Sequence, residues 1–254
     1  MARVSVISGG GTGIGRATAE RFARDGDRVV LLGRRAEVLE TAADDLRARV
    51  AGAEVSTRAV DLAEPAQVED LCAELAQRYG RVDVLVNNAG GNVEIGAPAE
   101  ATKGLAGAAA HWTGNFRSNV LTAVLLTEGL RDSLASPGGR VVLLSSIAAF
   151  RGSGTGSYAA AKAALHPYVY DLAGSLGPRG VTVNAVAPGY IEDTEFFRGG
   201  MTDARRRVLV EQTDTGRAGV PEDAAETVHW LCSPGAGHVT GQIVQVNGGA
   251  RKGN

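Results

Sequence analysis

The sequence predicts an α/β protein: a single doubly wound domain over 1–254, built on a mostly parallel seven-stranded sheet with helices on both faces. Three observations carry this expectation. Strand-like and helix-like segments alternate along the whole 254 residues. The strand segments are Val-, Leu- and Ile-rich without polar alternation, which requires burial on both faces. The first of them ends in a glycine cluster that opens a helix, and such sheets bind ligands beyond the carboxyl ends of their strands.

In order along the chain, Val4 to Ser8 reads as the first strand and Ile14 to Asp25 as its helix. Arg28 to Leu32 is the second strand. Ala36 to Val50 follows as a helix with apolar residues at Val38, Leu39, Ala42, Leu46 and Val50, the spacing of one helical face. Val55 to Val60 is a third strand, and Pro65 to Tyr79 a helix with proline in its first turn, where its missing N–H costs nothing. Val82 to Val86, Arg140 to Ser145, Val181 to Val186 and Gln242 to Val246 complete the strands. Helices are expected around Phe116 to Leu134, from Tyr158 to Leu176 and from Pro221 to Leu231. Gly91 to Gly114, with glycines scattered among alanines, carries no assignable pattern.

Composition narrows the function. A formal charge of −2 gives no reason to expect a nucleic-acid partner or an anionic membrane surface. The run Arg205-Arg206-Arg207 is short and flanked by Asp203 and Glu211, as on a solvated helix face. Cys72 and Cys232 lie far apart in apolar helical contexts, which reads as buried thiols in a reducing compartment. The four histidines form no HxxxH or HExxH pattern, so no metal is expected. The chain runs from Met1 straight into its first strand with no signal-like segment and no apolar run of membrane-spanning length, and a cytoplasmic protein is expected.

Ser8-Gly9-Gly10-Gly11-Thr12-Gly13-Ile14-Gly15 follows the first strand. Glycines there permit a tight turn and let backbone amides approach a diphosphate at a helix N-terminus. The tip of the second strand reads Leu31-Leu32-Gly33-Arg34-Arg35, without the carboxylate that would bind a ribose 2′-OH and repel a 2′-phosphate. Arg34, and less directly Arg35 or Arg16, can pair with a phosphate, which favours NADP over NAD. Asp61-Leu62 ends the third strand, where the carboxylate can accept from an adenine amino group or cap the helix before Pro65. Asn87-Asn88-Ala89-Gly90 ends the fourth, where small residues let the backbone pass close to a ribose or simply make a turn.

Tyr158 and Lys162 stand at i and i+4 in SYAAAKAA, so phenol and ammonium share one helix face just beyond a strand tipped by Ser145-Ser146. A cation beside a phenol favours the phenolate, and a tyrosine so tuned can exchange a proton with an alcohol or carbonyl.

Together these pieces resemble the short-chain dehydrogenase/reductase family, in particular its 3-oxoacyl-carrier-protein reductase-like group. The matching segments are SGGGTGIG, DL at 61–62, NNAG at 87–90, Asn119 in RSNVLTAVLL, SS at 145–146 and YAAAK at 158–162. NAVAPG at 184–189, GVPEDAAETVHWLCSP at 219–234 and VTGQIVQVNGG at 239–249 extend the likeness over nearly the whole chain. The resemblance implies a Rossmann-type fold and an NADP(H)-dependent ketoreductase with Tyr158 as general acid or base. Lys162 would lower the tyrosine pKa and hold the nicotinamide ribose, a serine would hydrogen-bond the substrate oxygen, and Asn119 would anchor a proton-relay water. Ser8, Gly9, Thr12, Gly13, Ile14, Arg34, Asp61, Leu62, Asn88, Ala89 and Gly90 would cradle the dinucleotide. Pro188, Gly189 and Ile191 would hold its carboxamide, with Thr194 near the diphosphate. The segment 193–215, with Phe196, Phe197 and Met201, would be a lid over the substrate. The resemblance also implies a homotetramer or homodimer.

This chain departs from the family pattern in three places. Ser8 replaces the usual threonine and keeps a hydroxyl. The usual count back from the tyrosine lands on Ser145, whereas aligning the strand end GRVVLLSS lands on Ser146, which is favoured here. Pro188 to Thr194 is one residue longer than usual. The competing functions are an NAD-dependent alcohol dehydrogenase of the same family and a non-catalytic dinucleotide-binding sensor or scaffold.

Overall fold

The computed structural model describes residues 2–98, 103–154, 156–197 and 199–253. Seven parallel strands form one sheet in the order β3-β2-β1-β4-β5-β6-β7. They are β1 (Val4–Ser8), β2 (Arg28–Gly33), β3 (Glu54–Ala59), β4 (Val84–Asn87), β5 (Arg140–Leu144), β6 (Thr182–Pro188) and β7 (Ile243–Val246). The helices are α1 (Gly13–Arg24), α2 (Ala36–Arg49), α3 (Pro65–Tyr79), α4 (Gly104–Phe116), α5 (Thr122–Leu130), α6 (Ala148–Arg151), α7 (Ser157–Leu176), α8 (Asp203–Glu211) and α9 (Pro221–Leu231).

Side chains alternate across each strand, so the two faces of the sheet build two separate cores. Val6, Val30, Leu32, Leu85, Val141, Leu143 and Val183 pack with Leu71, Leu126 and Leu165 of α3, α5 and α7. Ile7, Val29, Leu31, Val84, Val86, Val142 and Val186 pack with Phe22, Leu39, Leu46 and Val228 of α1, α2 and α9. Every residue of β1 and of β6 is buried, the polar Ser5, Ser8, Thr182 and Asn184 included, so both faces of these strands are covered.

The chain winds outward from β1 through β2 to β3, then crosses back to β4 on the other side of β1. The resulting switch point lies between the carboxyl ends of β1 and β4, where a crevice opens in a doubly wound sheet. Ser5, Val6 and Ile7 pair in register with Val84, Leu85 and Val86, which sets Ser8 beside the chain leaving β4.

Two expectations about elements are corrected. The helix expected around Phe116 to Leu134 begins at Gly104, so half of the unassigned Gly91–Gly114 stretch is helical. The alanines of GLAGAAAH satisfy helix propensity there, although the scattered glycines hide any apolar face. Between α4 and α5 the helix widens into a π turn over Arg117–Leu121, which contains Asn119. Val82 stands outside β4 and makes an isolated bridge with Leu134. Parts of three predicted features, namely 99–102 of the unassigned stretch, Thr155 of the loop before Tyr158 and Arg198 of the lid, lie outside the described residues.

Candidate active site

The glycine turn after β1 is shaped by close approach. A Cβ on Gly15 would sit 2.2 Å from the Gly9 carbonyl oxygen and 2.5 Å from Asn88 Nδ2, so only glycine lets α1 start against the turn. Gly9 and Gly13 have φ of +64° and +49°, the left-handed region that a side chain disfavours. Thr12 precedes α1 without a side-chain capping bond, and no acidic residue stands in the first turn. The amides of α1 therefore point outward at the positive end of the helix dipole, a cradle suited to a diphosphate.

Around this cradle the sequence-predicted residues converge. The buried Ser8 hydroxyl accepts from the Asn88 and Ala89 amides at 3.0 and 2.9 Å. Asn88 Nδ2 donates back to the Ser8 and Gly9 carbonyls at 3.0 and 3.1 Å. Both polar side chains thus fasten β4 to the glycine turn, a supporting arrangement rather than an outward-facing one. Asn87 points into the core and donates to Thr127 at 2.8 Å.

At the tip of β2 the three arginines separate. Arg16 pairs with Asp45 at 3.1 Å, and Arg35 with Glu195 at 2.7 Å. Arg34 is exposed and makes no hydrogen bond or ion pair among the described residues. Asp61 accepts from the Ala63 amide at 3.0 Å and pairs with Arg117 at 3.1 Å; these contacts, with Arg34 nearby, hold its carboxyl below the usual carboxylate range. The alternative of Asp61 as cap of the next helix is not realised, because Glu64 occupies the cap position of α3. Leu62 beside it is buried.

On the other side of the crevice, Gly189 lies so close to Asn247 that a Cβ would be 2.8 Å from Asn247 Cβ. Pro188 accepts from the Ile147 amide at 2.8 Å, tying β6 to the turn after β5. Ile191 is buried and bridges to Gly219. The extra residue between Pro188 and Thr194 is accommodated by Asp193, which takes a φ of +57°, a conformation Asp tolerates better than most residues. Thr194 thereby reaches the glycine turn: a Cβ on Gly13 would lie 3.1 Å from Thr194 Cγ2.

The period-two rule resolves the two serines. Ser145 continues the parity of Leu143 and turns toward α7, bonding His166 Nε2 at 2.8 Å and donating to the Lys162 carbonyl at 3.2 Å. Ser146 lies past the end of β5, accepts from the Ala148 amide at 3.1 Å and faces the Tyr158 phenol. Tyr158 and Lys162 are both buried near the start of α7, with Lys162 Nζ 6.0 Å from the Tyr158 ring centre.

Lys162 donates to the Leu144 carbonyl at 2.7 Å. Burial pulls its ammonium down to about 8. Burial pushes the Tyr158 phenol up to about 12, opposed by the Ser146 hydroxyl. This corrects the expectation that Lys162 lowers the tyrosine pKa. Desolvation disfavours both charged forms, and the ammonium is engaged by a carbonyl rather than by the phenol oxygen.

Asn119 lies in the π turn, a distortion often found at functional positions. Its amide clamps Gly91, accepting from the Gly91 N–H at 3.0 Å and donating to its carbonyl at 2.8 Å. A Cβ on Gly90 would lie 2.5 Å from Asn119 Oδ1 and 3.1 Å from Lys162 Nζ, so glycine is what lets these groups meet.

Sequence reasoning named Phe196 and Phe197 as part of a lid but not the ring contacts they make, and it missed two further features. Phe196 rests on Tyr158 with ring centres 5.5 Å apart, and Phe197 links Phe196 to Tyr190. The Arg35–Glu195 pair joins that same segment to the tip of β2. A polar cluster of Asn92, Glu94, Asn115 and Ser157 adjoins α7. Only the Asn115–Asn119 spacing of i and i+4 could have hinted at the last. Among the described residues, no group of three or more metal-ligating side chains comes together, and no helix is long and apolar enough to cross a membrane.

A doubly wound parallel sheet with a glycine cradle at its switch point and a Tyr-Lys pair on the neighbouring helix defines a nucleotide-dependent oxidoreductase architecture. The chain belongs to the short-chain dehydrogenase/reductase family: the family model described as enoyl-(acyl carrier protein) reductase matches residues 9–251. It is 33% identical over 252 residues to the short-chain reductase protein NovJ of Streptomyces niveus, covering 97% of this chain and 93% of that protein. It is 32% identical to the 3-oxoacyl-[acyl-carrier-protein] reductase FabG of Aquifex aeolicus, covering 97% and 96%. The solved structure of a levodione reductase superposes with a TM-score of 0.87 at 30% identity, covering 97% of this chain and 96% of the other. Members of this family use nicotinamide dinucleotides, and the cradle described above fits one.

Proposed function

We propose that this protein is an NADP(H)-dependent ketoreductase, interconverting a ketone and a secondary alcohol with Tyr158 as proton donor in reduction and acceptor in oxidation. The observation that carries the reading is a convergence. The buried Tyr158 phenol faces the Ser146 hydroxyl, and the Lys162 ammonium lies 6.0 Å from the Tyr158 ring centre and against Gly90, at the same edge of the sheet as the uncapped start of α1.

Gly9, Thr12, Gly13 and Ile14 would hold the diphosphate with Thr194 beside them, and Arg34 the 2′-phosphate. Asp61 and Leu62 would border the adenine, and Asn88, Ala89 and Gly90 the sugars. Tyr158 and Lys162 would meet the nicotinamide ribose, and Pro188, Gly189 and Ile191 the carboxamide. The bound dinucleotide supplies or accepts the hydride, while the chain orients the reactants and manages the proton.

In reduction, the Tyr158 phenol donates its proton to the carbonyl oxygen. It stays protonated until pH approaches about 12, so it is charged with a proton across the neutral range. Ser146 donates a hydrogen bond to the same oxygen as negative charge builds on it. Lys162, fixed by Leu144, would hold the nicotinamide ribose with its ammonium, and Asn119 fixes Gly91 and with it the backbone beside that ammonium. The 193–215 segment would act as the lid: Phe196 already rests on the Tyr158 ring and, with substrate bound, would keep water from the proton-transfer position.

Two measurements test parts of this reading. Arg34→Ala is expected to weaken NADPH binding ~10- to 100-fold, the worth of one lost charge-assisted contact, and to leave NADH binding within ~2-fold. Calorimetric dissociation constants for both nucleotides check it, and unchanged NADPH affinity would remove Arg34 from the phosphate site. The second concerns pH. Lys162 carries its charge below about 8 and loses it above, whereas Tyr158 remains protonated there. So kcat/KM for reduction should be flat at lower pH and fall as pH rises through about 8, since this ratio reports groups on the free enzyme. A profile that stays flat through that range contradicts the assignment.

The reading also includes a homotetramer or homodimer. Trp112, Phe116 and Leu121 stand 48%, 38% and 37% exposed on one face of α4 and the π turn, an apolar patch of the kind that marks association. Light scattering of the purified protein reads this directly, and a monomer at assay concentration would contradict it. A cytoplasmic setting accords with Cys72 and Cys232 being unpaired thiols.

A further inference from the structure

We infer that Glu94 is a positioning residue for Tyr158, acting through Ser157 at the first turn of α7; the inference rests on the oxidoreductase reading above. The start of α7 lacks the usual local support. Gly156 precedes it with a φ of +80°, no side chain caps it, and no acidic residue stands in its first turn. Its orphan amides and positive dipole end call for an acceptor from elsewhere in the fold.

Glu94 brings a carboxylate to this helix start, accepting from the Ser157 hydroxyl and not from the amides themselves. The hydroxyl of Ser157, itself 1% exposed, donates to Glu94 Oε1 and accepts from Asn115 Nδ2 at 2.8 Å. Asn115 is wholly buried, and its Oδ1 accepts from the Val93 amide at 3.2 Å. Its backbone carbonyl accepts from Asn119 Nδ2 at 2.9 Å. Asn92 Oδ1 fixes the turn by accepting from the Glu94 amide at 3.1 Å. Val93 wedges this turn against α4, since a Cβ on Gly114 would lie 3.3 Å from Val93 Cγ2. A continuous hydrogen-bond chain therefore runs from Asn119 through Asn115 and Ser157 to Glu94.

His111 Nδ1 stands 3.9 Å from Glu94 Oε2, beyond hydrogen-bond reach, so among the described residues Ser157 is the donor that Glu94's side chain holds directly. Ser157 is the residue before Tyr158, and moving its backbone moves the phenol relative to Ser146. Chemistry of this kind is sensitive to displacements of ~1 Å, which cost up to ~100-fold.

The test measures kcat, KM and nucleotide Kd for Glu94→Ala, Glu94→Gln, Ser157→Ala and the Glu94→Ala/Ser157→Ala double variant, with kcat expressed per titrated nucleotide site. Glu94→Ala should lower kcat ~10-fold while nucleotide Kd stays within ~2-fold of wild type. Glu94→Gln, which keeps an acceptor oxygen for Ser157, should recover most of kcat. Ser157→Ala, which also releases Asn115 Nδ2, should lose at least as much kcat as Glu94→Ala, and the double variant should be no worse than Ser157→Ala, because Glu94 acts through Ser157. The inference is overturned if Glu94→Ala keeps kcat within ~2-fold, or if the two losses add. Should Glu94→Ala not fold, a Glu94→Gln loss as large as that of Ser157→Ala overturns it, and near-wild-type kcat in Glu94→Gln beside a loss in Ser157→Ala supports it. Failure of the parent reading looks different: wild-type protein binds nucleotide yet reduces no ketone, and the inference falls with it.

Discussion

Tyr158→Phe is expected to lower kcat for ketone reduction by ~100- to 10,000-fold, the usual worth of a positioned general acid, while nucleotide affinity stays within ~2-fold. The substitution removes one oxygen and leaves the ring that packs on Ala148, Ala159 and Phe196. Fold and lid contact should therefore survive, and the loss should appear in kcat rather than in thermal stability. The phenol is raised by burial to about 12, so in the wild-type protein it holds its proton across the neutral range. Ser146 faces the same place but cannot replace it as a proton donor, because a serine hydroxyl holds its proton too tightly. Turnover retained within ~10-fold in Tyr158→Phe would show that the proton comes from elsewhere.

Gly15→Val is expected to abolish measurable nucleotide binding. The β-carbon alone would stand 2.2 Å from a backbone oxygen that belongs to the glycine turn itself. The nearest obstacle is backbone and not the flexible end of a side chain, so α1 must move away from Gly9, and the amides that would hold a diphosphate move with it. We expect a loss of affinity exceeding ~100-fold, together with a thermal midpoint lowered by several degrees, since displaced core contacts of α1 cost ~1–3 kcal/mol. Titration of NADPH against the folded variant checks it. Wild-type affinity in Gly15→Val would mean that the turn does not hold the dinucleotide.

The fold was legible because a parallel sheet buried on both faces leaves an unbroken apolar signature, as in the VVLL of both β2 and β5. The glycine turn was legible for a related reason: close backbone approach can be met by one residue type only, so the requirement is written in the sequence. The choice between Ser145 and Ser146 was harder, because both satisfy the motif. It rests on strand parity, and parity becomes certain only when the last residue of β5 is known to be Leu144.

Features held by contacts between distant segments left little trace. Glu94 and Ser157 are far apart in sequence and meet only because α4 packs on α7. The pKa of Tyr158 was misread for an electrostatic reason. The i, i+4 spacing places Lys162 nearby, but the amount of water excluded from the pair, and the carbonyl of Leu144 that captures the ammonium, are properties of the packed site. The sequence already placed Arg34 ahead of Arg35 and Arg16, and the ion pairs that engage the last two separate them further from the first.

The most direct measurement is the loss of NADPH absorbance when the wild-type protein is mixed with a panel of aryl, cyclic and aliphatic ketones and 3-oxoacyl thioesters, with NADH in parallel. The account expects at least one ketone to be reduced with NADPH, more slowly with NADH, and at a rate that vanishes in Tyr158→Phe. A protein that binds NADPH normally yet neither oxidises it across the panel nor reduces NADP+ with the matching alcohols would contradict it.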